Sequence, residues 1–421
     1  MTAALPARTR VAAGLGRFTS SLSRRLGRGD GSVIGGRVLL LVDPAALGRL
    51  AAGHPAVMVS GTNGKTTTTR LLTAALATIG PVASNLRGAN MPAGLASALT
   101  DSEQSARAVL EVDEAWLPVV VGEVRPKVVA LLNLSRDQLD RNNEVRSLSR
   151  SWREAMGADS MAGTTVVANA DDPLTAWAAS AAADVTWVAA GQPWTADAAG
   201  CPACGAQITF SPDGDGWRCD GCGFSRPEPD VRFTTDELLF ADGRRWPLQL
   251  RLPGRANRAN TAMAVAAAVP FGVDPARALA AIAETADVDG RYRSLDIDGV
   301  PCRLLLAKNP AGWLEVLDII SDSAGPVVVG INARIADGHD PSWLWDVPFE
   351  RLRDRFVVAT GERSHDLAVR LHYAEVEHDR VDSVRAAIGV AASARANRDQ
   401  RVDVVANYTS FMALTAGLPD D

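Results

Sequence analysis

A glycine-rich loop set between an apolar run and a helical stretch constrains this chain more than any other feature. Residues 56–59 are apolar, Ser60-Gly61-Thr62-Asn63-Gly64-Lys65-Thr66-Thr67 follows, and Leu71, Leu72, Ala75, Leu76 and Ile79 then recur at helical spacing before Gly80-Pro81. A short apolar run bounded by turn residues is the pattern of a strand buried on both faces of a parallel sheet. Strand, loop and helix in that order make a phosphate-binding unit. Backbone N–H groups from Gly61 to Gly64 and the helix N-terminus would cradle phosphate oxygens, Lys65 would neutralise them, and Thr66, with Thr67 beside it, would hold magnesium. The alternative is a ligand-free glycine turn, and the strand-before, helix-after context weighs against it. Standard spacing would put a glycine at position 59, where Val59 stands, so the loop is of the shortened variety.

Further apolar runs at 38–42, 108–112, 128–132, 165–168 and 185–189 read as strands, with helical stretches at 146–156 and 261–269. That alternation predicts a doubly wound, parallel-rich α/β sheet. Between about 195 and 230 the texture turns to Gly, Pro, Asp and Cys, as in an insertion. After Asp289-Gly290-Arg291 a second α/β unit is expected, with strands at 303–306, 327–330, 355–359 and 402–406. The expected layout is a leader over 1–37, a central domain over 38–289 and a smaller Rossmann-like domain over 290–421. The length of 421 residues exceeds what one core usually serves.

The net charge of −6 gives no footprint for nucleic acid. Residues 1–37 carry seven Arg, and Arg17, Arg24, Arg25 and Arg28 break the apolar stretch that a secretory signal or a membrane span needs, so neither fits well. An amphipathic or frayed leader is expected there, and weak contact with anionic lipid heads stays open. Only three residues are Lys, the rest of the 43 basic residues being Arg. Lys65 and Lys308 both lie in motifs, where a compact ammonium would matter.

Cys201-Pro-Ala-Cys204 and Cys219-Asp-Gly-Cys222 form two Cys-x-x-Cys pairs fourteen residues apart, the spacing of a zinc ribbon. Four thiolates fill a tetrahedral site, so this metal would be structural. A redox pair has no need of a second pair at that distance. The pattern also suits a reducing cytoplasm. Cys302 stands alone beside an expected strand and reads as an inert buried residue.

Glu111 ends an expected strand, which puts its carboxylate at the sheet edge as a magnesium ligand; a solvated acidic turn at 111–114 is the alternative. Asn133-Leu-Ser-Arg-Asp137-Gln138-Leu-Asp140-Arg141 also follows a strand, and its carboxylates read either as metal or substrate ligands or as helix caps. In the second unit Lys308 lies between a strand and a helix and could approach a phosphoryl group or a carboxylate. The segment Asp337-Gly-His-Asp340-Pro-Ser-Trp343-Leu-Trp345-Asp346 is too rich in Asp and Trp to read as core; turn chemistry explains part of it, and the aromatic pair suggests a partner surface.

Taken in order, these motifs resemble the Mur ligase family, which joins amino acids to peptidoglycan precursors through an ATP-made acyl phosphate. The loop at 60–67, the segment from Asn133 to Arg141, Asn169-Ala-Asp-Asp-Pro173, the stretch 252–260 with Asn257 and Asn260, and Gly290-Arg291 carry the likeness. Asn257, Asn260 and Arg291 are thereby implied on the nucleotide side, with ATP and Mg²⁺ as cofactors beside Zn²⁺. Gln138 stands where most relatives have a metal-binding His, and no Lys between Lys127 and Lys308 can serve as the carbamylated lysine, so the resemblance does not extend to a second magnesium site.

The missing sugar-nucleotide domain, the ribbon and the 337–346 segment narrow the likeness to ligase subunits that amidate lipid II. It implies conversion of D-glutamate in the stem peptide to D-isoglutamine, at the inner face of the membrane, with Lys65, Arg291 and Lys308 neutralising charge. Four Cys committed to zinc and a partnerless Cys302 leave no glutaminase nucleophile, so ammonia would come from a separate, GatD-type glutaminase subunit. Asp337, Asp340 or Asp346 is implied to orient that partner's catalytic His, with Asp337 slightly preferred. Two alternatives stay open: a ligase that adds an amino acid, as folylpolyglutamate synthases do, and a non-catalytic nucleotide- and zinc-binding scaffold.

Overall fold

The structure, a computed structural model, describes residues 5–25, 32–85, 89–100, 107–136, 145–212, 214, 216–285 and 292–415. The chain divides into two compact units whose main boundary follows Thr285.

In the first unit the strands are β1 (Ala56–Ser60), β2 (Val82–Ser84), β3 (Arg107–Glu111), β4 (Val128–Leu131), β5 (Thr165–Asn169) and β6 (Val185–Val188). A ribbon hairpin follows, β7 (Ile208–Phe210) and β8 (Trp217–Cys219), then β9 (Val231–Phe233), β10 (Glu237–Phe240) and β11 (Arg245–Pro247). Nine strands form one sheet in the order β11-β10-β9-β6-β5-β4-β1-β3-β2. Pairing is parallel from β2 to β9, and β10 and β11 close one edge antiparallel. All five residues of β1 are buried, as its apolar run requires. Val59 pairs with Glu111 and Ser60 with Leu131, so the ends of β1, β3 and β4 converge on one edge.

The helices here are α1 (Ala7–Arg25), α2 (Ser32–Val42), α3 (Ala46–Ala51), α4 (Lys65–Ala77), α5 (Pro92–Thr100), α6 (Leu117–Val124), α7 (Val145–Met156), α8 (Pro173–Ala179), α9 (Arg255–Ala268) and α10 (Pro275–Ala283). Residues 38–42, expected as a strand, are instead the last turns of α2. A short apolar run does not by itself distinguish strand from buried helix, and here close packing decides. A Cβ on Gly35 would fall 2.6 Å from the Gly16 carbonyl oxygen of α1, and one on Gly36 would fall 1.7 Å from Ala93 O of α5. The glycines therefore let three helices touch through their backbones. Thr9 of α1 donates to Asp43 at 2.6 Å, and Arg49 pairs with the same carboxylate at 2.8 Å, so the leader helix is tied to the helices that follow it.

The second unit contains β12 (Tyr292–Ile297), β13 (Val300–Leu306), β14 (Val327–Gly330), β15 (Val357–Thr360), β16 (His378–Arg380) and β17 (Val402–Ala406). Its helices are α11 (Pro310–Ile320), α12 (Ser364–Tyr373), α13 (Val384–Ser393) and α14 (Tyr408–Thr415). The sheet order is β12-β13-β17-β14-β15-β16, parallel except for the β12–β13 hairpin. At its lower edge Arg303 and Arg355 each pair with the fully buried Asp403 at 2.7 Å, and Arg303 also reaches Asp322. Removing one member would leave a buried charge without compensation.

Candidate active site

At the edge where β1, β3 and β4 end, the glycine loop is stitched to the segment after β4. The Thr62 N–H donates to Asn133 O and the Asn63 N–H to Asn133 Oδ1, both at 2.9 Å. The Ser135 N–H donates to Thr62 Oγ1, and that hydroxyl donates to Ser135 O at 3.1 Å. Gly64 has φ of 83°, and a Cβ there would lie 2.6 Å from Asn260 Oδ1 of α9. The loop thus presents bare backbone, the shape a phosphate needs. Asn260 also accepts from the Thr68 hydroxyl at 3.2 Å, while Asn257 lies one turn before it on α9. Thr66, half-buried, and Thr67, buried, occupy the first turn of α4.

Lys65 is buried and held by three oxygens: Gly61 O at 2.6 Å, Glu114 Oε2 at 2.8 Å and Thr62 O at 3.3 Å. Glu114, treated in the sequence only as part of an acidic turn, is therefore a member of the site. Glu111 is 2% exposed, and its Oε1 accepts from Asn90 Nδ2 at 3.3 Å. Its Oε2 is buried with no hydrogen-bond partner among the described residues. A buried carboxylate oxygen without a donor is costly unless a ligand completes it, and a divalent cation suits that oxygen. Asn85 fixes the strand end that carries it, donating to Glu111 O and accepting from the Glu111 N–H, both at 2.8 Å. Neither Asn85 nor Asn90 belongs to a motif legible in the sequence.

Asp172 braces the same edge from below. Fully buried, it accepts from the Leu134 N–H at 2.7 Å, caps α8 through the Leu174 N–H and accepts from Thr175 Oγ1. Burial pushes its carboxyl up to about 6 against the pull of those donors. Residues 137–144 and Arg291 lie outside the described residues, so Asp137, Gln138, Asp140 and Arg291 receive no position here.

The four ribbon thiols converge. Cys201, Cys204, Cys219 and Cys222 have all Sγ atoms within 4.8 Å of one another, with Cys201–Cys222 at 3.8 Å and Cys204–Cys219 at 3.4 Å. Thiolates about 2.3 Å from a tetrahedral zinc stand about 3.8 Å apart, so the set fits that ion. The hairpin is seated on the segment after β5: Trp217 Nε1 donates to Ala170 O at 2.9 Å and Arg226 pairs with Asp171 at 2.5 Å.

In the second unit Lys308 lies half-buried between β13 and α11, next to Asn309, which caps that helix through the Gly312 N–H. The 337–346 segment is not uniformly a surface. Asp337 is buried, and its two oxygens accept from the Thr409 N–H, the Thr409 hydroxyl and the Arg334 N–H. Trp343 is core, whereas Trp345 is 55% exposed and stacks edge-on with the exposed Tyr373, centroids 5.6 Å apart. Asp340 caps the short turn at Ser342, and both it and Asp346 are exposed. The expectation that the aromatic pair forms a partner surface is thus corrected for Trp343, which the 3-10 turn over Ser342–Asp346 directs inward, as the loop before it does Asp337.

Comparison with known proteins follows the same division. Residues 59–268 match the Mur ligase middle domain, and residues 306–411 match the MurT ligase C-terminal domain. The MurT subunit of the glutamine-hydrolysing lipid II isoglutaminyl synthase of Streptococcus pneumoniae is 29% identical over 94% of each chain. This chain belongs to the Mur ligase family. Within it, this ligase is of the MurT kind. The Staphylococcus aureus (strain N315) MurT subunit is 28% identical over 86% of this chain and 87% of its own. Among solved structures, a pseudomurein peptide ligase type C from Methanothermus fervidus matches this ligase with a TM-score of 0.67 and 20% identity, covering 86% of this chain and 79% of that one. That likeness is one of fold.

Proposed function

We propose that this ligase amidates the α-carboxyl of D-glutamate in the stem peptide of lipid II. The reaction uses ATP and ammonia and yields D-isoglutamine. The observation that carries the reading is the edge that joins a bare-backbone loop, a buried Lys65 and a buried Glu111 carboxylate oxygen with no donor among the described residues. Similarity to MurT subunits along nearly the whole chain supplies the substrate class.

In the first step a carboxylate oxygen attacks the γ-phosphorus and ADP leaves; ammonia then attacks the acyl carbon, the C–O bond to phosphate breaks, and the proton lost from nitrogen leaves on the phosphate as HPO₄²⁻. Lys65 exchanges its hold on Glu114 and the loop carbonyls for phosphate oxygens, and loop N–H groups orient the triphosphate. Magnesium, when bound, supplies positive charge across the phosphates, and Glu111 with Thr66 would hold it. Lys308 and Arg291 would neutralise the acceptor. Zinc in the four-cysteine ribbon is structural.

Ammonia comes from a GatD-type glutaminase subunit. Asp340 and Asp346 are exposed, with Asp346 3.6 Å from Arg136, and suit an outward-reaching carboxylate better than the buried Asp337, whose two oxygens accept from Thr409 and Arg334. The test assays glutamine-driven and ammonia-driven amidation separately, with muropeptide mass as readout. Asp340→Asn or Asp346→Asn should abolish only glutamine-driven turnover, whereas Asp337→Asn should weaken both routes. Full glutamine-driven activity in both exposed variants would sink the assignment. Product from a free amino acid, with none from ammonia, would replace amidation with amino-acid addition.

A further inference from the structure

Helix α1 inverts the usual distribution of side chains. Its buried face consists of small residues, Thr9, Ala12, Ala13, Gly16, Ser20 and Ser23. Its outward face presents Val11 (59% exposed), Leu15 (44%), Phe18 (66%) and Leu22 (45%). These four are spaced i, i+4, i+7, i+11, so they line one stripe. The small inward residues have a packing reason, since Gly16 and Gly35 bring the α1 and α2 backbones into contact. No packing reason accounts for four large apolar residues in water, where a globular helix places polar ones. Helix α2 adds Ile34 and Leu41, 43% and 82% exposed.

Charge selects what covers the stripe. The sequence of α1 contains no Asp or Glu, while Arg8, Arg10, Arg17, Arg24 and Arg25 are exposed along it, in a chain of net charge −6. A large apolar stripe flanked by arginines, on a helix of low overall hydrophobicity, is the pattern of a helix that lies in the headgroup layer of an anionic bilayer. None of the described helices is long and apolar enough to cross a membrane.

Arg8 and Arg17 also donate to the Val42 and Thr100 carbonyls, which holds their charge beside the stripe. We propose that α1 docks this ligase on bilayers containing anionic phospholipid, with Val11, Leu15, Phe18 and Leu22 entering the headgroup layer and the positive charge of the helix drawn to lipid phosphates. The inference deepens the reading that the acceptor is lipid-linked, but its primary test does not depend on that reading. Full-length protein is sedimented with vesicles of phosphatidylcholine, with and without phosphatidylglycerol. Binding should require phosphatidylglycerol, weaken with salt, and fall at least about tenfold for each of Leu15→Ser and Phe18→Ser, with unchanged melting temperatures because both side chains already face solvent. Equal sedimentation of wild type and the double variant L15S/F18S overturns the proposal. So does loss of glutaminase-subunit binding in that variant without loss of vesicle binding, which would make the stripe a protein interface. Amidation then separates the two readings. The double variant should be impaired on bilayer-embedded lipid II and unimpaired on a short-chain soluble analogue; vesicle binding without turnover of either substrate would retain the docking helix and reject the enzyme assignment.

Discussion

Single residues at the sheet edge carry opposing electrostatic demands. Lys65 rests on Glu114 and two carbonyls, so its ammonium is pre-placed and needs only a change of partner. Lys65→Ala should lower kcat for ammonia-driven amidation by about 10²–10³, the scale of removing one preorganised charge donor. Glu111→Gln should instead raise the magnesium concentration needed for half-maximal rate, checked by titrating Mg²⁺ at saturating ATP. Asp172 yields a pH prediction. Its folded pKa, raised to about 6, exceeds the unfolded value near 3.9, so between those values the folded chain binds more protons. Stability should therefore fall as pH rises from about 4 to about 6, by up to roughly 3 kcal/mol from this group alone. Asp172→Asn should flatten that slope in denaturant melts at stepped pH.

At the scale of elements, the ribbon and the phosphate loop are mechanically linked. Trp217 and Arg226 seat the hairpin on Ala170 and Asp171, and the neighbouring Asp172 holds Leu134 beside the loop's own anchor, Asn133. Stripping the metal with a chelator, or Cys219→Ser, should thus do more than loosen a surface knuckle. We expect the melting temperature to drop by about 2–4 °C for every kcal/mol lost and amide exchange at residues 132–135 to quicken. Unchanged exchange at those amides would separate ribbon from loop. Most of the strands in both sheets were legible as apolar runs, because a strand buried on both faces allows only apolar residues. The run at 38–42 was not, because Gly35 and Gly36 matter only through the helices they touch.

For the whole molecule, the placement of its thiols bears on the proposed source of ammonia. Four converge in the ribbon, and the fifth, Cys302, is buried in β13, where burial, reinforced by Asp296, pushes the thiol up to about 12. Such a thiol stays protonated and is not a nucleophile. The chain alone should release no ammonia from glutamine, and Cys302→Ala should leave ammonia-driven amidation within about twofold of wild type, since surrounding machinery does not use the sulfur. Measurable glutamine hydrolysis by the isolated chain would contradict this assignment.

The sequence by itself determined the α/β class, the glycine-rich loop between strand and helix, the four-cysteine ribbon and most strand positions, since each rests on local periodicity or on spacing along the chain. Only the tertiary structure decided where each carboxylate lies and what it touches. It joined Glu114 to Lys65, left one oxygen of Glu111 buried without a donor among the described residues, turned Asp337 and Trp343 inward while Asp340 and Trp345 face out, and set the large residues of α1 toward solvent. Burial and partner choice depend on residues tens to hundreds of positions apart, so these facts follow from how chain segments pack against one another.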